Sequence, residues 1–136
     1  MYIDGLPNKP NLIFCALQIE PDNVLNYLGR EEERFGGFVQ TPNVRIHYLD
    51  RGPQTGIRLI WANGTYSNAH ELDLVSDSLL SAGLRLITID CCGHGLTPRG
   101  DHPVSIYHVA DDMAFLLDHL GITKLTGVPL SSSASA

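Results

Sequence analysis

Apolar and polar residues follow a strand-like pattern in five places along the chain. Three apolar runs bounded by glycine or polar residues cover residues 57–62, 84–90 and 124–130. Such runs are typical of strands buried on both faces of a parallel sheet. The turn sequence TPN separates two further apolar segments, residues 38–40 and 44–50, which predicts a β-hairpin. The chain should therefore form a hairpin followed by three buried strands.

A helical period replaces the strand pattern after the first buried strand. Its apolar residues are three or four positions apart: Leu72, Val75, Leu79 and Ala82. Asn68, with Glu71 three residues later, predicts a capping box at the start of this helix, and Gly83 predicts its end. The segment is expected to be a helix that connects two parallel strands.

A second helical segment follows the second buried strand. Its apolar stripe consists of six residues: Ile106, Val109, Met113, Leu116, Leu117 and Leu120. Ser105 is the expected N-cap, and Gly121 the expected end. Strands that alternate with helices predict βαβ units with right-handed crossovers. The predicted fold class is therefore α/β, with an N-terminal hairpin and three parallel strands joined by crossover helices.

The predicted α/β domain covers residues 36–136, and residues 1–35 form an N-terminal extension. Within the extension the segment PDNVLNYLGREEERF has helical spacing, with Pro21 near its start. No motif in the extension indicates a chemical role.

Composition narrows the classes of function. With 136 residues, 43% of them hydrophobic and 18% charged, the chain has the composition of one soluble globular domain. The net charge of −6 argues against nucleic acid or an anionic membrane as a partner. No apolar run reaches the roughly 20 residues of a membrane span, and no signal peptide is recognised. Three cysteines without C-x-x-C spacing favour a reducing, cytoplasmic location and argue against a metal site.

Polar loops follow all three buried strands. They read NGTY, DCCGHGLT and SSSA, and each begins where its strand ends. Ligands of open parallel sheets bind outside the carboxyl ends of the strands, so the three loops are expected to meet at one edge.

These blocks resemble the N-terminal half of an α/β-hydrolase of the esterase- and lactonase-like kind. The resemblance covers residues 36–131 and is carried by IHYLDRG, NG, DCCGHGLT and FLLDHLGITK, of which DCCGHGLT is the most specific. It implies hydrolysis of an ester, lactone or similar acyl bond of a small-molecule substrate by a serine nucleophile, without a cofactor.

The resemblance also implies roles for individual residues. Counting from LGITK places the nucleophile at Ser131, although a register with Ser133 is also open. In this fold the oxyanion hole takes a backbone N–H from the residue after the nucleophile and another from the loop after the first buried strand. Those residues are Ser132 and Thr65. The expected structural loop residues are Asn63, Gly64, Asp90, Gly93, His94 and Gly95.

The sequence departs from the family pattern in three places. The elbow reads PLSSS where the family has G-x-S-x-G, and Asn63 stands where the family has histidine. The family's catalytic acid and base follow the nucleophile, whereas the last acidic residue and the last histidine are Asp118 and His119. The resemblance thus implies a chain truncated at the elbow that does not complete the reaction alone. The alternative function is an inactive binding module that self-associates through the exposed edge of residues 124–130.

Other residues at the same edge have simpler interpretations. His94 could act as a base, but a structural role in its turn is favoured. Asp90 is expected to organise its own loop by accepting hydrogen bonds from backbone N–H groups. Cys91 could be a nucleophile, although a buried and inert thiol is favoured.

Overall fold

The computed structural model describes residues 21–101 and 103–125. Most of the predicted strand at residues 124–130, together with Ser131 and Ser132, lies outside the described residues. The chain divides between Arg34 and Phe35 into two units. Each unit is described by itself below.

A helix, α1 (Pro21–Phe35), accounts for the described part of the first unit. This confirms the helix predicted for the segment PDNVLNYLGREEERF. Proline suits the first position because that position needs no N–H donor and its fixed φ already matches the helix.

The second unit contains a four-stranded sheet. Its strands are β1 (Gly36–Gln40), β2 (Arg45–Arg51), β3 (Ile57–Ala62) and β4 (Leu84–Ile89). They lie in the order β1-β2-β4-β3. The hairpin pairs β1 with β2 antiparallel, β4 is antiparallel to β2, and β3 is parallel to β4 with Ile60 opposite Ile87. The predicted hairpin and first βαβ unit are therefore confirmed.

Two helices connect or follow the parallel strands. They are α2 (Asp73–Ser81) and α3 (Ile106–His119). The N-cap prediction for α3 is confirmed, since the Ser105 hydroxyl accepts a hydrogen bond from the His108 N–H at 3.3 Å. Gly83 and Gly121 follow the two helices with φ of 86° and 67°, the left-handed conformation that favours glycine.

The capping box predicted for α2 is wrong. The helix begins at Asp73, and its N-cap position is Leu72, whose side chain caps nothing. The Asn68 carboxamide oxygen instead accepts from the His70 N–H at 2.9 Å, a local turn that competes with a helical start. Glu71 turns its carboxylate away from the helix, towards Gly64.

Helices α2 and α3 lie on opposite faces of the sheet. Arg51 and Leu86 are register partners on one face, and Arg51 donates to Asp73 of α2 at 2.8 Å. Ile87 and Ile89 lie on the other face, in the core cluster that contains the buried residues of α3. That cluster consists of Val39, Val44, Ile46, Ile60, Ala62, Ile87, Ile89, Cys91, Val109, Met113, Leu116 and Ile122.

The prediction that residues 57–62 are buried on both faces is wrong for the described sheet. Ile57 is 54% exposed, and only Ile60 and Ala62 of β3 are buried. Within the described residues β3 pairs with β4 alone. Among the described helices none is both long and apolar enough to cross a bilayer.

Candidate functional site

Two of the three predicted loops meet at the carboxyl edge of the sheet. Ala62 and Ile89, the last residues of β3 and β4, are register partners in parallel strands. Residues 63–67 and 90–97 therefore leave the sheet side by side, at the edge where α/β folds bind ligands. The third predicted loop, with Ser131 and Ser132, lies outside the described residues.

Asn63 joins the two loops. Its side chain is buried, and its carboxamide oxygen accepts from the Cys91 N–H at 2.7 Å. Its amide group donates to the carbonyls of Gly64 at 2.8 Å and Ser67 at 3.2 Å. A buried carboxamide with both ends bonded fixes the loops against each other, because buried hydrogen bonds are costly to break.

Asp90 is the second junction between the loops. One carboxylate oxygen accepts from the Ala69 N–H at 2.6 Å. The other accepts from the Leu96 N–H at 2.8 Å and lies 2.7 Å from Nδ1 of His47, which is as buried as Asp90 itself. Burial raises the pKa of Asp90, but the hydrogen bonds from His47, Leu96 and Ala69 outweigh it and hold the pKa below its ordinary value. Asp90 is therefore an anionic loop organiser, as expected, and it also pairs with His47, a contact that the IHYLDRG block did not predict.

The GHG turn supports this carboxylate. His94 donates its backbone N–H to the Cys91 carbonyl at 2.9 Å, and its Nδ1 lies 3.2 Å from the Cys92 carbonyl. Gly95 has φ of 48°, and a Cβ at this position would overlap the Asp90 carboxylate. The third residue of GHG must therefore be glycine for two reasons, its backbone conformation and the space beside it.

Thr65 lies at the tip of the first loop. Residues 64–67 form a turn closed by the Ser67 N–H, which donates to the Gly64 carbonyl at 3.1 Å. Tyr66, the third residue of the turn, is fully exposed and has φ of 61°, which is uncommon for a residue with a side chain. Within residues 21–101 and 103–125, neither the Thr65 N–H nor the Tyr66 N–H donates to a protein acceptor.

The Gly64 N–H is held by Glu71, the residue that the sequence predicted in a capping box. It donates to the Glu71 carboxylate at 2.7 Å, and the Trp61 indole N–H donates to the same oxygen at 3.0 Å. Within the described part of the chain, the N–H groups of the 64–67 turn without a protein acceptor are therefore those of Thr65 and Tyr66. This placement is compatible with the oxyanion role expected of Thr65, which stays a prediction.

Comparison with known proteins identifies the fold. No protein-family model and no curated protein matches the sequence. Solved structures do match, among them a carboxylesterase from the ammonia-oxidizing thaumarchaeon Nitrososphaera gargenis, 28% identical over 69% of this chain with a TM-score of 0.63. The chain has a partial α/β-hydrolase fold.

Two further structures with the same α/β-hydrolase fold show how much of it the chain contains. Epoxide hydrolase A from Mycobacterium thermoresistibile is 22% identical over 70% of this chain, with a TM-score of 0.63. A hydrolase from Pseudomonas aeruginosa is 21% identical over 70%, with a TM-score of 0.64. The matches cover 35%, 30% and 36% of the three proteins, so the chain spans about a third of their length.

In this α/β-hydrolase fold Cys91 is unsuited to nucleophilic chemistry. Burial raises the pKa of its thiol to about 12, so the reactive thiolate is rare at neutral pH. The thiol belongs to the core cluster between the sheet and α3. This agrees with the inert thiol favoured from the sequence.

Proposed function

We propose that this chain provides the oxyanion loop and the nucleophile position of a serine-dependent hydrolase. Its substrate is an ester, lactone or similar acyl compound. Ser131 is the proposed nucleophile, and the backbone N–H groups of Thr65 and Ser132 are the proposed donors to the oxyanion. The observation that carries the proposal is the turn at residues 64–67, which is fixed on both sides and leaves two adjacent N–H groups open.

Fixed donors matter because they need no rearrangement when charge develops. In the proposed reaction a general base takes the Ser131 proton while the Ser131 oxygen bonds to the carbonyl carbon, and the π electron pair of the carbonyl moves onto the carbonyl oxygen. The backbone donors stabilise that oxyanion, which then collapses and expels the alcohol as the protonated base returns the proton to the alcohol oxygen. Water then loses a proton to the same base and attacks the acyl carbon, which breaks the bond to Ser131 and releases the carboxylic acid. Loss of one such donor commonly costs about a hundredfold or more in rate.

The proton of Ser131 needs an acceptor. Among the described histidines, His94 is at the right edge, but its Nδ1 is turned towards its own loop. His47 is buried against Asp90. In the family's order the base follows the nucleophile, so the proposal assigns it to neither of these residues.

Reaction with a fluorophosphonate tests the proposal, because the reagent bonds covalently to activated serines. Because no base is assigned, we expect slow labelling of the unaltered protein that depends on the oxyanion donors alone, and a loss of labelling in Ser131→Ala. Labelling should be unchanged in Ser133→Ala, which tests the alternative register. Hydrolysis of p-nitrophenyl acetate should change in parallel. Equal labelling of the unaltered protein and Ser131→Ala would remove Ser131 from the mechanism.

A binding module is the second candidate function. The observation that favours it is the position of β3 at the end of the described sheet, with Ile57 more than half exposed. A strand formed by residues 124–130 would pair with β3 on this open side, and the proposed interaction is self-association through the outer edge of that strand. Size-exclusion chromatography should then detect a dimer that Val128→Lys abolishes, together with no labelling of any serine.

A further inference from the structure

Glu71 connects the tip of the first loop to β3. A single carboxylate oxygen accepts from the Gly64 N–H at 2.7 Å and from the Trp61 indole N–H at 3.0 Å. Trp61 lies within β3, and Gly64 begins the turn that carries Thr65. The Glu71 carboxylate thus links the turn to the β-sheet.

The helix does not explain this arrangement. Glu71 precedes α2 by two residues, and the carboxylate makes no cap for it. Its side chain is exposed, so burial does not force the contact either. Hydrogen bonds to a charged acceptor are stronger than neutral ones, and two donors on one oxygen fix its position more tightly than one.

The Gly64 residue is held from both directions. Glu71 accepts from its N–H, while the buried Asn63 amide donates to its carbonyl at 2.8 Å. A peptide segment bonded at both groups cannot rotate without losing at least one charged or buried hydrogen bond. The Gly64 carbonyl and the Thr65 N–H belong to one peptide group, so the direction of the Thr65 N–H is fixed as a result.

We infer that Glu71 is a positioning residue, which holds the Gly64–Ser67 turn so that the Thr65 N–H faces an anionic ligand atom. The inference rests on the proposed function, in which that atom is the oxyanion formed on attack by Ser131. Glu71 touches no reacting atom in this account. It acts through the backbone of Gly64.

Two substitutions separate positioning from charge. Glu71→Gln keeps an oxygen acceptor for both donors and removes a negative charge that would oppose a nearby oxyanion. Glu71→Ala removes the acceptor as well. Glu33→Ala, at an exposed glutamate of α1, is the matched control.

The first measurement is independent of catalysis. Amide hydrogen exchange of Gly64 should quicken about tenfold or more in Glu71→Ala and stay near the unaltered rate in Glu71→Gln. The emission of Trp61, the one tryptophan of the chain, should shift in Glu71→Ala and not in Glu33→Ala. Unchanged Gly64 exchange in Glu71→Ala would overturn the inference.

The second measurement is the rate of fluorophosphonate labelling at Ser131 as a function of reagent concentration. Glu71→Ala should lower the maximal rate about tenfold with little change in the half-saturating concentration, since the donors act on the developing charge. Glu71→Gln should label at least as fast as the unaltered protein. A loosened turn with unchanged labelling would also overturn the inference. If the unaltered protein is not labelled, the proposed function fails, and exchange at Gly64 alone decides whether Glu71 holds the turn.

Discussion

Replacing Asp90 by alanine removes the acceptor that joins the two loops of the candidate site. The carboxylate accepts from two backbone N–H groups, those of Ala69 and Leu96, and bonds to Nδ1 of His47. His47 and Asp90 are 1% and 2% exposed. Of the groups left behind in Asp90→Ala, those of His47 and Ala69 are buried, whereas the Leu96 N–H is partly buried.

The expected loss follows from the number of groups that lose a partner. Each buried donor left without an acceptor costs about 1–3 kcal/mol, and relaxation or an entering water recovers part of this. For three donors we expect a loss of about 3–5 kcal/mol in the free energy of unfolding, a large part of the total for a small domain. Asp90→Asn retains one oxygen acceptor and should lose about 1–3 kcal/mol.

The pH dependence has a defined sign. Because the pKa of Asp90 is lowered in the folded protein, the carboxylate stabilises the fold above its ordinary value of 3.8. That contribution is lost as the pH falls through the lower, folded-state pKa. The difference in stability between the unaltered protein and Asp90→Asn should therefore be largest at neutral pH and shrink below the ordinary carboxyl pKa.

Urea unfolding followed by far-UV circular dichroism and by Trp61 emission measures these differences. Asp77→Ala, at an exposed aspartate of α2, is the control and should stay within about 0.5 kcal/mol of the unaltered protein. A loss in Asp90→Ala as small as that of the control would refute the reasoning. So would a stability difference for Asp90→Asn that grows as the pH falls.

Three further outcomes are expected from the structure. Gly95→Ala should lower the free energy of unfolding by more than about 2 kcal/mol, because the new Cβ meets the Asp90 carboxylate. Gly83→Ala, with open space around the new Cβ, should cost about 1 kcal/mol. Equal losses in urea unfolding would contradict the steric explanation. Ser105→Ala should cost about 1 kcal/mol by the same assay through loss of the α3 N-cap, and no loss would show that the cap contributes nothing. Cys91 should resist iodoacetamide in the folded protein and react after denaturation, as followed by peptide mass mapping; rapid reaction in the folded state would contradict a raised thiol pKa.

Periodicity in the sequence was enough to predict the elements around the site. β3 was predicted with the bounds that the structure gives, and α3 within one residue, since apolar spacing and glycine stops are local signals. The meeting of residues 63–67 and 90–97 also followed from sequence, because parallel strands bring their carboxyl ends to one edge. These parts depend on short-range patterns and one topological rule.

The contacts that fix the site could not be predicted in this way. His47 and Asp90 are 43 positions apart in the chain, and their pairing depends on the sheet order rather than on any motif. Glu71 matched the spacing of a capping box, yet its carboxylate accepts hydrogen bonds from Trp61 and Gly64 and does not cap the helix. The positive φ of Tyr66 could not be predicted either, because tyrosine does not favour such a backbone conformation.

The central claim is that Ser131, which follows the predicted strand at residues 124–130, reacts beside the oxyanion loop. Peptide mass mapping of the fluorophosphonate adduct tests it most directly. The account predicts an adduct on Ser131, absent from Ser131→Ala and slowed in Glu71→Ala. An adduct on another serine, or none after prolonged exposure of the folded protein, would contradict it.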